Sequence, residues 1–379
     1  MKKPITPISR KSVLLILLLT MACTPPATQT PADDATGTPS GATETPAPGI
    51  ETLPVHVGYG ARGPWFEIYF TDPANPAASQ ESGGIETPLI AAIDSARLSV
   101  DVAIYSLSLR ELGNALLRAR DRGVQVRIVM ESDNRDRTVP VALIEAGLPI
   151  LGDRREGLMH DKFVVIDRSE VWTGSLNFTT TGAYNDNNNL IRIQSVKVAE
   201  NYTKEFEEMF LDDKFGGDIV PETPNPIVTL DGTRVEVYFS PDDGAAQPVR
   251  ELLEGAADSI YFLAYSFTAD ELAEAIHARA AEGVTVAGVM EEAQVQSNEG
   301  TEFDAFVQAG LDVRLDGNDG QMHHKVIIID ESIVVTGSYN FTASAENRND
   351  ENIVIFFSPE IAALYLEEFE RVFAQAQEP

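Results

Sequence analysis

The 379-residue sequence predicts an α/β protein built from two duplicated lobes. Three observations carry that expectation. The block SARLSVDVAIYSLSLRELGNALLRARDRGVQVRIVME at 95–131 returns 160 residues later as GAADSIYFLAYSFTADELAEAIHARAAEGVTVAGVME at 255–291. The phrase GLMHDKFVVIDRSEVWTGSLNFT at 157–179 returns 163 residues later as GQMHHKVIIIDESIVVTGSYNFT at 320–342. Strand-like apolar runs alternate with segments of helical period in each half, the pattern of a sheet covered on both faces by helices. A repeat of this period is domain-sized, so it marks duplicated domains and not a solenoid.

At the N-terminus, Lys2, Lys3, Arg10 and Lys11 precede an apolar run from Val13 to Leu19. A bilayer span needs about 20 apolar residues, so the run reads as an export signal, with a membrane-anchor helix as the alternative. Cys23, the only cysteine, ends LLLTMAC and has no partner for an intrachain disulfide. The stretch resembles a bacterial lipoprotein box, which implies cleavage after Ala22, lipidation of Cys23 and an anchor on the outside of the cell membrane; ordinary signal cleavage or a chance cysteine is the alternative. Residues 24–54 are rich in Pro, Thr, Ala and Gly and read as a disordered tether, because they hold too little apolar surface to fold. The first lobe is expected at 60–212, a connector at 213–233 and the second lobe at 234–377.

Within the first lobe, LSVDVAIY reads as a strand and VQVRIVM as another. Between them Leu109, Leu112, Leu116 and Leu117 recur at helical steps, with Gly123 closing the helix. The second lobe repeats this order with Tyr265 for Tyr105, Ser266 for Ser106 and Gly283 for Gly123. Each lobe ends in an amphipathic segment, VAENYTKEFEEMFLDD and PEIAALYLEEFERVFAQA. Trp65 and Phe66 are expected in the core, with contact to lipid as the alternative, and the segment 71–88, longer than its counterpart 240–248, is either an overhang of the site or an idle insertion.

Formal net charge is −31, all of it carried beyond residue 54, since the four bases of residues 1–54 offset Asp33, Asp34, Glu44 and Glu51. So acidic a body repels polyphosphate chains at long range and disfavours non-specific nucleic-acid binding, which depends on Lys and Arg.

The repeated phrase carries the chemistry. Each copy holds His-x-Lys, an Asp five residues after the Lys, and then Gly-Ser-x-Asn. Alternate residues of a strand share a face, so His160 and Lys162 point one way, as do Ser175 and Asn177. A hairpin with Arg168 and Ser169 at its tip sets His160 opposite Asn177 and Lys162 opposite Ser175. A tip at Glu331 and Ser332 likewise pairs His323 with Asn340 and Lys325 with Ser338. An imidazole, an ammonium, an amide and a hydroxyl on one face suit an anionic oxygen cluster, above all a phosphate. His324 falls on the opposite face of its strand.

These residues resemble the HKD signature of the phospholipase D superfamily, in two complete copies: His160, Lys162 and Asp167, then His323, Lys325 and Asp330, each followed by Gly-Ser-x-Asn. The resemblance covers residues 60–377. It implies two phospholipase D-like α/β-sandwich lobes about a pseudo-two-fold axis, with one active site at their interface. It further implies phosphodiester cleavage through a phosphohistidine, with Lys162, Lys325, Asn177, Asn340 and the serines holding the phosphoryl oxygens and no metal or other cofactor required.

Glu351 stands 28 residues after His323, where several family members place a carboxylate against the histidine; Asn188 holds that position after His160. A carboxylate favours the imidazolium, so the expectation is His323 as acid beside Glu351 and His160 as nucleophile beside Asn188. Asp167 and Asp330 are expected to brace the hairpin turns. The implied partner is a phospholipid surface and the implied reaction headgroup hydrolysis by a monomer, with a nuclease or a phosphatidyltransferase as alternatives.

Overall fold

The computed structural model describes residues 49–217 and 220–377, so the expected export signal, Cys23 and most of the tether lie outside the described residues. Both lobes fall within one contiguous unit, Pro46–Pro379. Among the described residues, nine strands form the first sheet, in spatial order Glu51–Leu53, Tyr59–Arg62, Phe66–Phe70, Asn189–Gln194, Glu170–Gly174, Lys162–Ile166, Ser99–Ile104, Gln125–Met130 and Ile150–Gly152. The second sheet runs Ile227–Leu230, Thr233–Ser240, Glu351–Phe357, Ile333–Gly337, Lys325–Ile329, Ser259–Ala264, Thr285–Met290 and Asp312–Leu315. In each, the three strands joined through helical crossovers are parallel, and the hairpin bearing the repeated phrase pairs antiparallel to them.

The helix Arg110–Asp121 buries Leu112, Ala115, Leu116 and Ala119 on the outer face of its sheet, while Leu117 is only half-buried on its flank. Gly123 and Gly283 follow the paired crossover helices at φ +90° and +98°, the left-handed conformation that ends a helix at little cost only with glycine. The helices that close the lobes, Val196–Phe210 and Pro359–Gln375, start at Ser195 and Ser358, whose hydroxyls cap the N–H groups of Val198 and Ile361. Their apolar faces enter a core shared by both sheets, in which Tyr202, Phe206, Tyr365 and Phe369 meet Phe163, Val165, Val326 and Ile328. Burying each such aromatic removes enough apolar surface to stabilise by about 1.5–3 kcal/mol. Outer helices cover the other face of each sheet. Trp65 and Phe66 belong to the shared core.

Three local expectations need correction. The tether ends before residue 51, because Glu51–Leu53 pairs with Tyr59–Arg62 and Ile50, Leu53 and Val55 pack against the cores. The connector likewise yields at Ile227–Leu230 to an edge strand paired with Thr233–Ser240, held by buried Val228. The third correction concerns hairpin register. Ile166 pairs with Glu170 and Ile329 with Ile333, so each turn takes three residues where two were expected. Asp167, Arg168, Asp330 and Glu331 all adopt positive φ, and the N–H of Ser169 and of Ser332 returns to the carbonyl of Ile166 and of Ile329. One added turn residue moves every cross-strand partner by one place. Ser175 and Ser338 therefore do not stand opposite the lysines.

Candidate active site

Each catalytic-motif histidine lies just before a central strand, and a segment from the opposite lobe locks it there. His160 donates its backbone N–H to the Asp350 carbonyl at 3.0 Å, and Asp350 N–H returns to Leu158 at 2.9 Å. Across the pseudo-two-fold axis His323 donates to Asn187 at 3.0 Å and Asn187 to Gln321 at 2.8 Å. These exchanges bring both repeated phrases to one place. Each imidazole feels both ammonium groups, Lys162 and Lys325.

The side-chain partners are crossed relative to the sequence expectation. His160 Nδ1 donates to Glu351 Oε2 at 2.8 Å, although Glu351 belongs to the second lobe and was assigned to His323. His323 Nδ1 meets Asn188 Oδ1 at 2.8 Å, although Asn188 belongs to the first. The cause is the axis itself, which carries each strand start toward the other lobe's histidine. Asn188 is oriented by three bonds: its Nδ2 donates to Gly182 at 2.9 Å, Ser175 Oγ donates to its Oδ1 at 2.8 Å, and its N–H reaches Thr71 Oγ1 at 2.8 Å. Its Oδ1 therefore accepts, and His323 Nδ1 carries the proton. Ser338 accepts from the Asn352 N–H at 3.0 Å. Both serines are fully buried and spend these bonds inside their own lobes.

Gly174 and Gly337, at φ +139° and +143°, precede those serines; a Cβ there would lie 2.5 Å from Asn189 O and 2.2 Å from Asn352 O. No other residue lets the strand pass so close.

Both lysines are buried, and each ammonium donates to the carbonyl of its own motif histidine, Lys162 at 2.7 Å and Lys325 at 2.8 Å. Burial pushes the Lys162 ammonium down to about 7 and the Lys325 ammonium well below its ordinary value. Burial lowers His160 to about 4, with Glu351 the strongest opposing influence; burial and then Lys325 hold His323 well below its ordinary value. Burial thus disfavours the charged form of all four groups, and an anion among them would favour it. Asn177 and Asn340 are half-buried, and each Oδ1 is buried without a partner.

Asp167 lies outside this cluster. Its carboxylate accepts from the N–H groups of Arg97, Leu98 and Ser99, and Asp330 does the same for Ala257, Asp258 and Ser259. His324 is fully buried on the far side of its strand, against Glu368 at 3.0 Å.

Sequence reasoning missed four residues. Tyr105 and Tyr265 pack edge-on against His160 and His323 at 5.0 and 4.7 Å between ring centroids, and the lysine ammoniums lie 5.4 and 4.5 Å from the same rings. Glu131 and Glu291 accept the N–H groups of Met159 and Met322, at 3.1 and 2.6 Å, and so fix the residue before each histidine. All four recur at the 160-residue offset, a signal that was present in the sequence.

Residues 89–210 and 249–373 match the family model described as cardiolipin synthase, PLD-like domain. A phospholipase D of Rickettsia bellii is 31% identical over 154 residues, covering 39% of this chain and 76% of that protein. The mitochondrial cardiolipin hydrolase of Homo sapiens is 35% identical over 127 residues, 34% of this chain and 50% of that protein. The crystal structure of phosphatidylserine synthase from Haemophilus influenzae shares the fold, with a TM-score of 0.59 over 82% of this chain and 87% of that one at 14% identity.

Proposed function

The chain belongs to the PLD-like domain family, whose model matches both of its repeated halves, and from that premise we propose that it hydrolyses phospholipid headgroups to phosphatidic acid through a phosphohistidine. The observation that carries the reading is the meeting of His160, His323, Lys162 and Lys325 at one interface, each imidazole oriented by the other lobe. With Nδ1–H given to Glu351, His160 presents the Nε2 lone pair, and it is the nucleophile. Attack forms the Nε2–P bond and breaks the bond from phosphorus to the headgroup oxygen; the proton on His323 Nε2 goes to that oxygen. In the second step neutral His323 takes a proton from water, whose oxygen displaces His160 and releases phosphatidate.

The crossed partners remove the expected ground for this division of roles, and we infer it instead from the charge on the intermediate. The phosphorylated ring is cationic for the life of the intermediate, and Glu351 offsets that charge. His323, held only by an amide, surrenders its proton readily. The lysines hold the non-bridging oxygens and regain their charge when the phosphate enters. Asn177 and Asn340 donate through their Nδ2–H groups to the same oxygens. Lipid is preferred over nucleic acid because the net charge is −31 and Glu291 and Asp186 act on Lys325 from within the site. Anchoring through Cys23 outside the cell would keep the enzyme within tether reach of that substrate.

The test is parallel incubation with mixed phosphatidylcholine and phosphatidylethanolamine vesicles and with DNA. Release of choline or ethanolamine is expected. DNA nicking without headgroup release would replace the lipid reading with the nuclease one, and a phosphatidyl-alcohol made the dominant product by added ethanol would replace it with the transferase one.

A further inference from the structure

The residue after each motif histidine turns away from the catalytic site toward the shared core, and there the two lobes carry different charged groups. In the second lobe the buried Glu368 takes His324 Nε2 at 3.0 Å on one oxygen and Arg371 at 3.0 and 2.8 Å on the other. Two bases surround one acid. The matching positions lie 163 residues earlier: Asp161 for His324, Glu205 for Glu368 and Glu208 for Arg371. Three acids now stand where two bases faced one acid.

Asp242, from the turn after Thr233–Ser240 of the second lobe, joins them. One oxygen from each of Glu205, Glu208 and Asp242 lies within 4.8 Å of the other two. Glu205 and Glu208 are 8% and 4% exposed, so the charges are withdrawn from water. Asp161 is fully buried; its Oδ1 accepts from Asn352 Nδ2 at 2.6 Å, and its Oδ2 has no partner. Of the charges around Glu205, that of Asp161 acts on it most strongly. Asp242 Oδ1 and the hydroxyl of Ser240, 2% exposed, also lack partners. Lys204 reaches Glu208 Oε1 at 3.0 Å but is shared with Glu222. Unpaired buried carboxylates are costly unless they meet a cation or share protons.

We propose that Glu205, Glu208 and Asp242 hold a hard divalent cation that supplies, in the first lobe, the positive charge Arg371 supplies in the second. The donors are all carboxylate oxygens, with no imidazole or thiolate among them, which suits Ca²⁺, Mg²⁺ or Mn²⁺ and not Zn²⁺ or Cu²⁺. Two ligands come from one turn of a closing helix and the third from a turn of the other lobe, an irregular set that Ca²⁺ accepts more readily than Mg²⁺ does. The ion ties the lobes together and takes no part in the phosphoryl chemistry.

The experiment uses the full chain, stripped with chelator and desalted, titrated calorimetrically with CaCl₂ and, separately, MgCl₂ and MnCl₂. Its thermal unfolding is followed over the same concentrations. Uptake of one equivalent of Ca²⁺ with a rising unfolding midpoint is expected, and Glu205→Gln and Asp242→Asn should each weaken uptake at least tenfold. Glu208→Arg installs the second lobe's arrangement; it should raise the midpoint of the stripped protein and abolish the response to Ca²⁺. Should that variant not fold, the Asp242→Asn comparison decides. Folded wild-type protein that takes up none of the three ions at up to about 5 mM, a generous limit for weak calcium sites, overturns the proposal in favour of carboxyls sharing protons. Undiminished uptake by both neutralised variants overturns it equally.

Discussion

Glu351→Gln tests the division of labour between the two histidines. Glu351 is fully buried, its Oε2 is 2.8 Å from His160 Nδ1, and its other oxygen takes only a 3.3 Å bond from Asn349. Phosphoryl transfer to His160 places a full positive charge on that ring. At a charge separation of about 4 Å and an effective dielectric of about 20, the carboxylate is worth about 4 kcal/mol to it. Glutamine keeps the shape and the hydrogen-bond acceptor, worth about 1 kcal/mol, so about 3 kcal/mol is lost from the transition state leading to the intermediate. That corresponds to a slowing of about a hundredfold. The assay is stopped-flow release of nitrophenol from a nitrophenyl phosphodiester, a leaving group that needs little protonation and so reports the attack on phosphorus. His323→Ala supplies the complement: its acid is gone, nitrophenol should still appear in a burst stoichiometric with enzyme, and peptide mapping after the quench should find the phosphoryl group on His160. A Glu351→Gln rate within fivefold of wild type, or a phosphoryl group on His323, would refute the assignment.

The pH profile of kcat/KM should be a bell. His160 attacks only when neutral, so activity rises with pH through about 4; Lys162 must be charged to bind phosphate and His323 must hold the proton it donates, so activity falls as pH rises, through about 7 for Lys162 and earlier for His323, which is held well below its ordinary value. A profile still climbing at pH 9 would contradict the buried, proton-poor lysine. Asp330→Asn should cost about 2–3 kcal/mol in urea unfolding, because one carboxylate holds the N–H groups of Ala257, Asp258 and Ser259 and an amide offers only one acceptor oxygen. Arg127→Leu strands Asp101, fully buried and paired to it at 2.7 and 2.8 Å, and should destabilise by about 3–5 kcal/mol with little change in KM.

Much of the fold was legible because its signals are local. The alternation of apolar strands with helices of 3.6-residue period, and the glycines that end those helices, need no knowledge of what lies across the chain. The tether and connector boundaries were misplaced because Glu51–Leu53 and Ile227–Leu230 are short edge strands, which tertiary pairing recruits without a strong pattern of their own. Hairpin register was missed by one residue because Asp-Arg and Asp-Glu do not advertise positive φ as Asn-Gly would. Histidines, lysines and asparagines of the site were legible from the repeated phrase. Their partners were not, since sequence spacing measures separation along one lobe while Glu351 and Asn188 act across the axis.

That crossing also explains how one duplicated phrase supports two different chemical roles. In a strictly symmetric pair each histidine meets the same residue from the other lobe, and nucleophile and acid are interchangeable until substrate arrives. Here the fused lobes have separate codons for the two positions, so one holds Glu351 and the other Asn188, and the symmetry breaks at the atoms that bind each Nδ1. On the proposed mechanism the break follows the demands of the reaction: the ring that bears a charge through two steps meets the carboxylate, and the ring that gives up a proton and takes it back meets the neutral amide. A lobe separated from its partner keeps its His-x-Lys strand but loses the residue that sets its histidine's tautomer. Mixing the two lobes expressed as separate chains should therefore restore activity only when both are present, and activity from the first lobe alone would show that His160 does not depend on Glu351.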